Sequence, residues 1–346
     1  MQPKEKRRKV IGNGVFLAAV FALTIYGVFH GEDLGAMMEA IRDVEKWKLI
    51  PGAALVLFFI WGESVILWYM MRSFGIRLKK RICFLFSSVG FFFSCITPSA
   101  SGGQPMQIYY MKKEKIPIPV ATVILMVVTI TYKLVLVVIG LGVFLFGRGF
   151  RERYLGEVLP VFYLGVVLNV SCVAFMTVLV FHPDLAEILL TRGMGWLEKL
   201  RFLRHKEERA EKLRKAMEVY RETAAYLEAH KRVILGVILV TFIQRFALFA
   251  VTWVVYLAFG LTGTAMLDVV MLQAVVSVSV DMLPLPGGMG ISEALFLRIF
   301  PSVFGEMLLP AMVLSRGLGY YSQLLISAVF TAAAQLYYML RHKEAP

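Results

Sequence analysis

Residues 97–105 read TPSASGGQP, a polar, helix-breaking run that lies between two stretches of membrane-grade apolar sequence. Residues 82–96 (ICFLFSSVGFFFSCI) precede it, and residues 120–140 (VATVILMVVTITYKLVLVVIG) follow after a basic cluster. Irregular backbone at membrane depth is tolerated only where protein buries it or where it lines a water-filled cavity. We therefore predict that 97–105 is the tip of a re-entrant hairpin over 82–111. The alternative is a short span followed by an exterior turn.

The composition is that of an all-α, polytopic integral membrane protein. Of 346 residues, 58% are hydrophobic and 18% are charged, and the mean hydropathy is +0.70, outside the range of soluble domains. The formal net charge of +13 is expected to gather in cytoplasmic loops and to meet anionic inner-leaflet lipids, so nucleic-acid binding is not implied. Cys83, Cys95 and Cys172 lie in apolar runs without ligand spacing, so we expect no metal site and no cofactor.

Apolar runs of about 20 residues mark the spanning helices. Two further runs, 265–283 and 305–341, are interrupted by Pro, Gly or charge, so we predict six to eight spans in all. The clear spans are 10–29, 50–71, 118–146, 159–181 and 233–258.

Basic loops set the orientation by the positive-inside rule. KEKRRK before the first span, RSFGIRLKKR after the second and the segment 182–232 are predicted to be cytoplasmic, which places the N-terminus inside. The basic stretch MKKEK at 111–115 is cytoplasmic as well only if the hairpin 82–111 enters and leaves the membrane on the same side.

Two segments outside the spans show helical patterns. Residues 182–232 have apolar side chains at helical spacing between Lys and Arg, which predicts one or two amphipathic helices. These either lie on the anionic inner leaflet or form a solvated hairpin that connects spans. The loop 30–49 is predicted to form a short interfacial helix.

A second broken segment, DMLPLPGGMGISEALFLRIF at 281–300, repeats the pattern of Pro, paired Gly and a short helix. Interrupted segments in two halves of a membrane protein point to a transporter's binding site, and opposite entry of the two would make an inverted repeat. We predict a single transmembrane domain over 1–346. Its divisions are half one 1–181 (broken segment 82–111), a cytoplasmic insert 182–232 and half two 233–346 (broken segment 265–301).

The tail is the difficulty for this topology. Two spans within 305–341 would leave the basic RHKEAP outside. Either this run folds less simply, or one hairpin crosses the membrane.

The broken segments supply most of the predicted substrate-binding residues, because glycine allows close backbone approach and helix N-termini attract anions. Glu293 has an alternative explanation, since an acidic residue there complements the helix dipole. The predicted residues are Ser99, Ser101, Gly102, Gly103, Gln104 and Gln107 on the first segment and Gly287, Gly288, Ser292 and Arg298 on the second.

Charges within apolar runs are costly and usually mark a pathway. Lys133 and Arg245 lie in the middle of long runs and are predicted to bind an anionic headgroup. Asp281, Glu293 and Glu63 are candidate proton carriers or ion-pair partners. Arg298 and Arg316 complete the set. The alternative is that these charges form salt bridges that lock helices together.

ITPSASGGQPMQIYYMKKEKIP (96–117) and LPLPGGMGISEALFLRIF (283–300) resemble the signature segments of the lysylphosphatidylglycerol synthase transmembrane-region family. This family includes the flippase-type module of the bacterial multiple peptide resistance factor and stand-alone homologues, and the resemblance covers about residues 10–341. It implies a multi-pass protein of the bacterial inner membrane that is linked to translocation of aminoacylated phosphatidylglycerol.

The leading hypothesis is a lipid translocase for an anionic or aminoacylated phospholipid, or for a polyprenyl-phosphate lipid, without catalytic residues. Without a GxxxxGK[ST] motif, movement is expected to be downhill or ion-coupled. A membrane-embedded transferase of the phosphatidylglycerol lysyltransferase type is disfavoured, because no Ser/His/Asp, HExxH or paired-carboxylate signature and no soluble catalytic domain is recognised. A third hypothesis is a scaffold that anchors a separately encoded lipid-modifying enzyme through 182–232.

Overall fold

The computed structural model describes residues 34–199 and 206–343, and within these ranges the chain is helical without strands. Short 3₁₀ turns join several helices, and a π-helical segment, Gly317–Tyr321, joins the last two. The helices are α1 (Leu34–Asp43), α2 (Ile50–Ser73), α3 (Lys80–Ile96), α4 (Gly103–Lys113), α5 (Ile118–Phe146), α6 (Arg148–Tyr154), α7 (Leu159–Phe181), α8 (Pro183–Lys199), α9 (Lys206–Ala229), α10 (Lys231–Ala258), α11 (Met266–Val280), α12 (Ile291–Ile299), α13 (Pro301–Phe304), α14 (Leu308–Arg316) and α15 (Ser322–Lys343).

The described ranges contain five helical stretches long and apolar enough to cross a membrane: Lys46–Ser73, Ile118–Phe146, Gly156–Phe181, Lys231–Ala258 and Pro301–Leu340. The predicted all-α polytopic fold is thereby confirmed. The predicted first span, 10–29, lies outside the described residues. Proline opens α2, α5 and α7 within the first turn, where its missing N–H leaves no helical hydrogen bond unmade.

Two buried clusters mark the two ends of the bundle. The basal cluster contains residues from the end of α2, the start of α3, the end of α4, the start of α5 and the ends of α7 and α15. The apical cluster contains residues from the end of α5, the start of α7, the end of α10, the start of α11 and the end of α12. The basal cluster includes Met71, Ile82, Met111, Ala121, Val180 and Tyr338, and the apical cluster includes Val143, Phe162, Tyr256, Val269, Phe300 and Phe304.

The two broken segments therefore enter the bundle from opposite ends. The α3–α4 hairpin leaves and returns to the basal end, as predicted for 82–111, and α11 and α12 leave and return to the apical end. The 3₁₀ turns at their tips, Pro98–Ala100 and Pro286–Gly288, pack against each other. An exterior turn at 97–105 is therefore the wrong alternative.

The tail folds as one interrupted span. α14, the π-helical segment and α15 run from the apical cluster, which contains Met312, to the basal cluster, which contains Tyr338. The end of the described chain thus lies at the same end as the loops after α2 and α4. The predicted difficulty, two spans in 305–341 that would leave RHKEAP at the other face, does not arise.

The segment 182–232 contains two helices, and α9 packs against the base of α5. Met217, Tyr220 and Leu227 of α9 are buried in the basal cluster. The Tyr220 hydroxyl donates to the Leu179 carbonyl at 3.0 Å, and the Tyr226 hydroxyl donates to the Ser73 carbonyl at 2.7 Å. One face of α9 is therefore docked on the bundle, so the segment is more than a solvated connection between spans. The predicted helix in 30–49 is confirmed as α1.

Gly165 sets the distance between α7 and α11. A Cβ atom at Gly165 would lie against the Val278 carbonyl and 2.8 Å from Ser279 Cα, both backbone atoms that cannot move aside. Asn169, one turn on, donates to the carbonyls of Gly165 (2.9 Å) and Val278 (3.2 Å). The absence of a side chain at 165 therefore positions the first arm of the second hairpin.

We expect Gly165→Ala to destabilise the protein by about 1–3 kcal/mol through overpacking. Gly142→Ala is the matched control, because a Cβ at Gly142 meets no atom within 4 Å and alanine favours the helix. Unfolding in detergent, monitored by thermal denaturation, measures both. Equal stability of the two variants would contradict the close approach.

Candidate functional site

The first tip is held by a threonine. Thr97 Oγ1 donates to the Phe93 carbonyl at 2.6 Å and accepts from the Gly102 N–H at 2.8 Å, which satisfies backbone groups at the end of α3 and near the start of α4. Ser99 adopts φ 50° and ψ 31°, a left-handed conformation that is uncommon for non-glycine residues. The turn therefore reverses the chain at the tip of the hairpin with its backbone held by local hydrogen bonds.

The second tip relies on glycines and on Glu293. Gly287 and Gly290 have φ of 56° and 85°, values that glycine adopts without strain. Glu293 Oε2 accepts from the Gly290 N–H at 2.7 Å at the start of α12. The predicted dipole-complementing position of Glu293 is therefore present in the structure.

Two hydrogen bonds tie the tips of the hairpins to the other half of the chain. Ser99 Oγ donates to the Leu283 carbonyl at 3.3 Å. The Tyr320 hydroxyl, in the π-helical segment, donates to the Cys95 carbonyl at 2.9 Å. The end of α3 thus contacts both the second broken segment and the last span.

A cavity of about 500 Å³ lies where the tips meet. Helices α2, α3, α4, α5, α7, α10, α11, α12, α14 and α15 all contribute to its wall. The predicted residues that line it are Glu63, Ser99, Ser101, Gln104, Gln107, Lys133, Arg245, Asp281, Gly287, Gly288 and Ser292.

Four predicted residues lie outside this wall. Gly102 and Gly103 form the α3–α4 contact instead, since a Cβ at Gly103 would lie 2.8 Å from the Gly90 carbonyl. Glu293 is buried behind Arg316. Arg298 points away from the cavity, with 64% of its side chain exposed and a guanidinium nitrogen 4.0 Å from Glu157, so the prediction that it binds substrate is corrected. It follows Phe296, which does line the cavity, by two residues, and positions two apart lie on different faces of a helix.

Lys133 and Asp281 form an ion pair across the cavity wall, with Nζ 2.5 Å from Oδ2. The Tyr132 hydroxyl donates to Oδ1 of the same carboxylate. Both carboxylate oxygens of Asp281, the residue at which the second segment breaks, are therefore bound by side chains of helix α5. The alternative that some charges are salt bridges between helices is realised here.

Arg316 forms the second buried ion pair. Its Nε donates to Glu293 Oε1 at 2.7 Å and its Nη2 to the Gly287 carbonyl at 3.1 Å, and its guanidinium lies 4.5 Å from the Tyr320 ring centre. Arg316 lines the cavity but was absent from the predicted site. Its position in an apolar run was the signal that would have included it.

Arg245 has a different environment from the other two cations. Its guanidinium lies 3.9 Å from the Tyr132 ring centre and 5.3 Å from that of Phe59. Among residues 34–199 and 206–343, no carboxylate lies within ion-pair distance of Arg245. Glu63, also on the wall, accepts a hydrogen bond from Gln107 Nε2 at 2.8 Å.

The sequence prediction missed the neutral polar and aromatic part of the wall. These side chains lie in the predicted apolar runs, where a single Ser, Thr, Gln or Tyr carries no distinctive pattern. They include Thr129, Tyr132, Thr241, Gln244, Gln273, Ser277 and Tyr320. Within the described ranges, no group of three His, Cys, Asp or Glu side chains is placed to hold a metal ion.

Long apolar spans around two opposed broken hairpins and a charged cavity define a multi-pass membrane protein. The sequence model of the family described as "Lysylphosphatidylglycerol synthase TM region" matches residues 10–327. The chain belongs to this family, so the resemblance noted in the sequence is confirmed and the protein is a membrane module of the lysylphosphatidylglycerol system. No curated protein matches the chain.

Proposed function

We propose that this protein moves a lipid with a phosphate-bearing headgroup across the bacterial inner membrane. The substrate class comprises anionic or aminoacylated phospholipids and polyprenyl-phosphate lipids. The observation that carries the proposal is the cavity of about 500 Å³ at the meeting point of the two broken segments, with Arg245 on its wall. A cation in an apolar bundle without a carboxylate partner in the described chain favours an anionic ligand.

The arrangement of the hairpins supports translocation rather than binding alone. One hairpin starts from each end of the bundle and the cavity lies between their tips, so each end has its own broken segment next to the same site. Opposed elements around a central site are the basis of alternating access. The basic loops at the basal end, after α2 and α4, favour a cytoplasmic position for that end, and the N-terminus is proposed to be cytoplasmic too.

Energy coupling follows from the charged groups. Asp281 and Glu293 are each held by a cation, whereas Glu63 is held by the neutral Gln107. We propose that movement is downhill or ion-coupled, with these carboxylates as proton carriers. The proposed partners are the lipid substrate, anionic inner-leaflet lipids and a separately encoded lipid-modifying enzyme.

Leaflet exchange in liposomes tests the proposal. Liposomes with the purified protein receive fluorescent phosphatidylglycerol, its lysyl derivative or a polyprenyl phosphate. The masses of the lipids are measured in the same samples by mass spectrometry. We expect faster exchange of at least one of these lipids than in protein-free liposomes, with unchanged lipid masses. No exchange across the panel, or a new lipid mass when aminoacyl-tRNA is supplied, would overturn the translocase.

A further inference from the structure

The ion pair between Lys133 and Asp281 joins two parts of the molecule that must separate if the hairpins move. Lys133 is on α5, its side chain 8% exposed, and Asp281, 14% exposed, begins the second broken segment. Lys133 Nζ also lies 2.9 Å from Met282 Sδ. Burial makes this pair costly to break unless another charge replaces the one that leaves.

Arg245 lies beside this pair. The Tyr132 side chain that donates to Asp281 also presents its ring to the Arg245 guanidinium. Two cations and one carboxylate thus converge on one tyrosine at the cavity wall, where Glu63 is a second carboxylate. Within the described part of the chain, Arg245 donates no hydrogen bond to a protein acceptor, so its planar donor fork is free for a ligand. Such a fork matches two oxygens of a phosphate.

We propose that a phosphate group binds between Arg245 and Lys133 and displaces Asp281 from Lys133, so that this is an anion-exchange site with Asp281 as its resident counter-ion. The inference rests on the proposed function and deepens it by naming the bound group, a phosphate ester. Exchange keeps an anion at Lys133 in both states, which avoids a buried, uncompensated cation.

Displacement of Asp281 has a mechanical consequence. Asp281 is two residues before Leu283, whose carbonyl accepts the hydrogen bond from Ser99 at the opposite tip. Release of the carboxylate from Lys133 and Tyr132 detaches the start of the second broken segment from α5 next to the contact between tips. Binding of the phosphate group is therefore coupled to release of this segment from α5, and the coupling is reciprocal.

The test measures binding to the full chain in detergent by calorimetry. The probes are dihexanoyl phosphatidylglycerol, inorganic phosphate and the phosphate-free dihexanoylglycerol. We expect Asp281→Asn to tighten binding of a phosphate probe by about tenfold, because the competing carboxylate is gone. Asp268→Asn, in the first turn of α11 and outside the cavity wall, is the matched control and is expected to leave affinity unchanged. Tighter binding of the lipid than of inorganic phosphate identifies a headgroup, and equal affinity identifies free phosphate.

Tyr132→Phe is the second variant, since it removes only the hydroxyl that holds Asp281 and keeps the ring under Arg245. We expect about threefold tighter binding, in line with the loss of one hydrogen bond. Recovery of a poorly folded Asp281→Asn protein by phosphatidylglycerol would also support the site. Unchanged or weaker affinity in both variants, or equal binding of dihexanoylglycerol, would overturn it.

The same variants separate this inference from the proposed function. If Asp281→Asn gains affinity but the native protein shows no leaflet exchange, the anion-exchange site is supported and the translocase function is contradicted. If the native protein shows leaflet exchange but Asp281→Asn gains no affinity, the translocase function is supported and the anion-exchange site is contradicted.

Discussion

Arg245→Ala is expected to reduce the rate of leaflet exchange roughly 10- to 100-fold, the effect of losing a hydrogen-bonded charge at the headgroup. The protein itself should remain folded, because Arg245 forms no ion pair or hydrogen bond with the described chain and its close contacts are with the rings of Tyr132 and Phe59. Such contacts contribute about 0.5–2 kcal/mol. The measurement is the initial exchange rate in liposomes at equal protein density, with size-exclusion elution as the check on folding.

Two further variants make the result specific. Arg245→Lys keeps the charge but loses the planar fork, so an intermediate rate is expected. Arg298→Ala removes an arginine that faces away from the cavity and should retain the native rate. A native rate in Arg245→Ala would remove this residue from the site.

Glu293→Gln is expected to cost about 3 kcal/mol of stability and to impair transport. The substitution leaves the Arg316 guanidinium buried without its carboxylate, and loss of one partner of a buried pair is strongly destabilising. Because Arg316 also holds the Gly287 carbonyl, the second tip should loosen together with the pair. Denaturant-induced unfolding in detergent measures the first effect and the liposome assay the second.

Glu306→Gln is the matched control for this substitution, since Glu306 is exposed at the apical end. The double variant Glu293→Leu with Arg316→Met should recover much of the lost stability, because it removes both charges, without recovering transport. Native stability in Glu293→Gln alone would mean that the pair with Arg316 does not support the fold.

The residues of the broken segments show how far the site could be predicted. Ser99, Gln104 and Gln107 reach the cavity because a polar side chain near a membrane-depth turn has few other places to go. Gly102 and Gly103 do not, since their lack of a side chain serves the packing of α4 on α3. Composition alone does not distinguish a glycine that admits a ligand from one that admits a neighbouring helix.

The charges show the opposite limit. Placement within apolar runs was sufficient to single out Lys133, Asp281, Arg245 and Arg316 as unusual, because that property belongs to each residue and its immediate neighbours. Their pairing was not, because Lys133 and Asp281 are 148 residues apart and meet only when α5 passes the second tip.

The sequence by itself determined four of the five apolar helices that are long enough to cross a membrane, the two places where a segment breaks and the basic loops after α2 and α4. Hydropathy, proline and glycine act over one or two helical turns, so these features are local. Only the tertiary structure decided that the two tips meet, that the tail is one interrupted span and that Arg245 lies beside the ion pair of Lys133 and Asp281 without an ion pair of its own to any described residue. These depend on which helices pack together, and packing is decided by side-chain shape across the whole bundle.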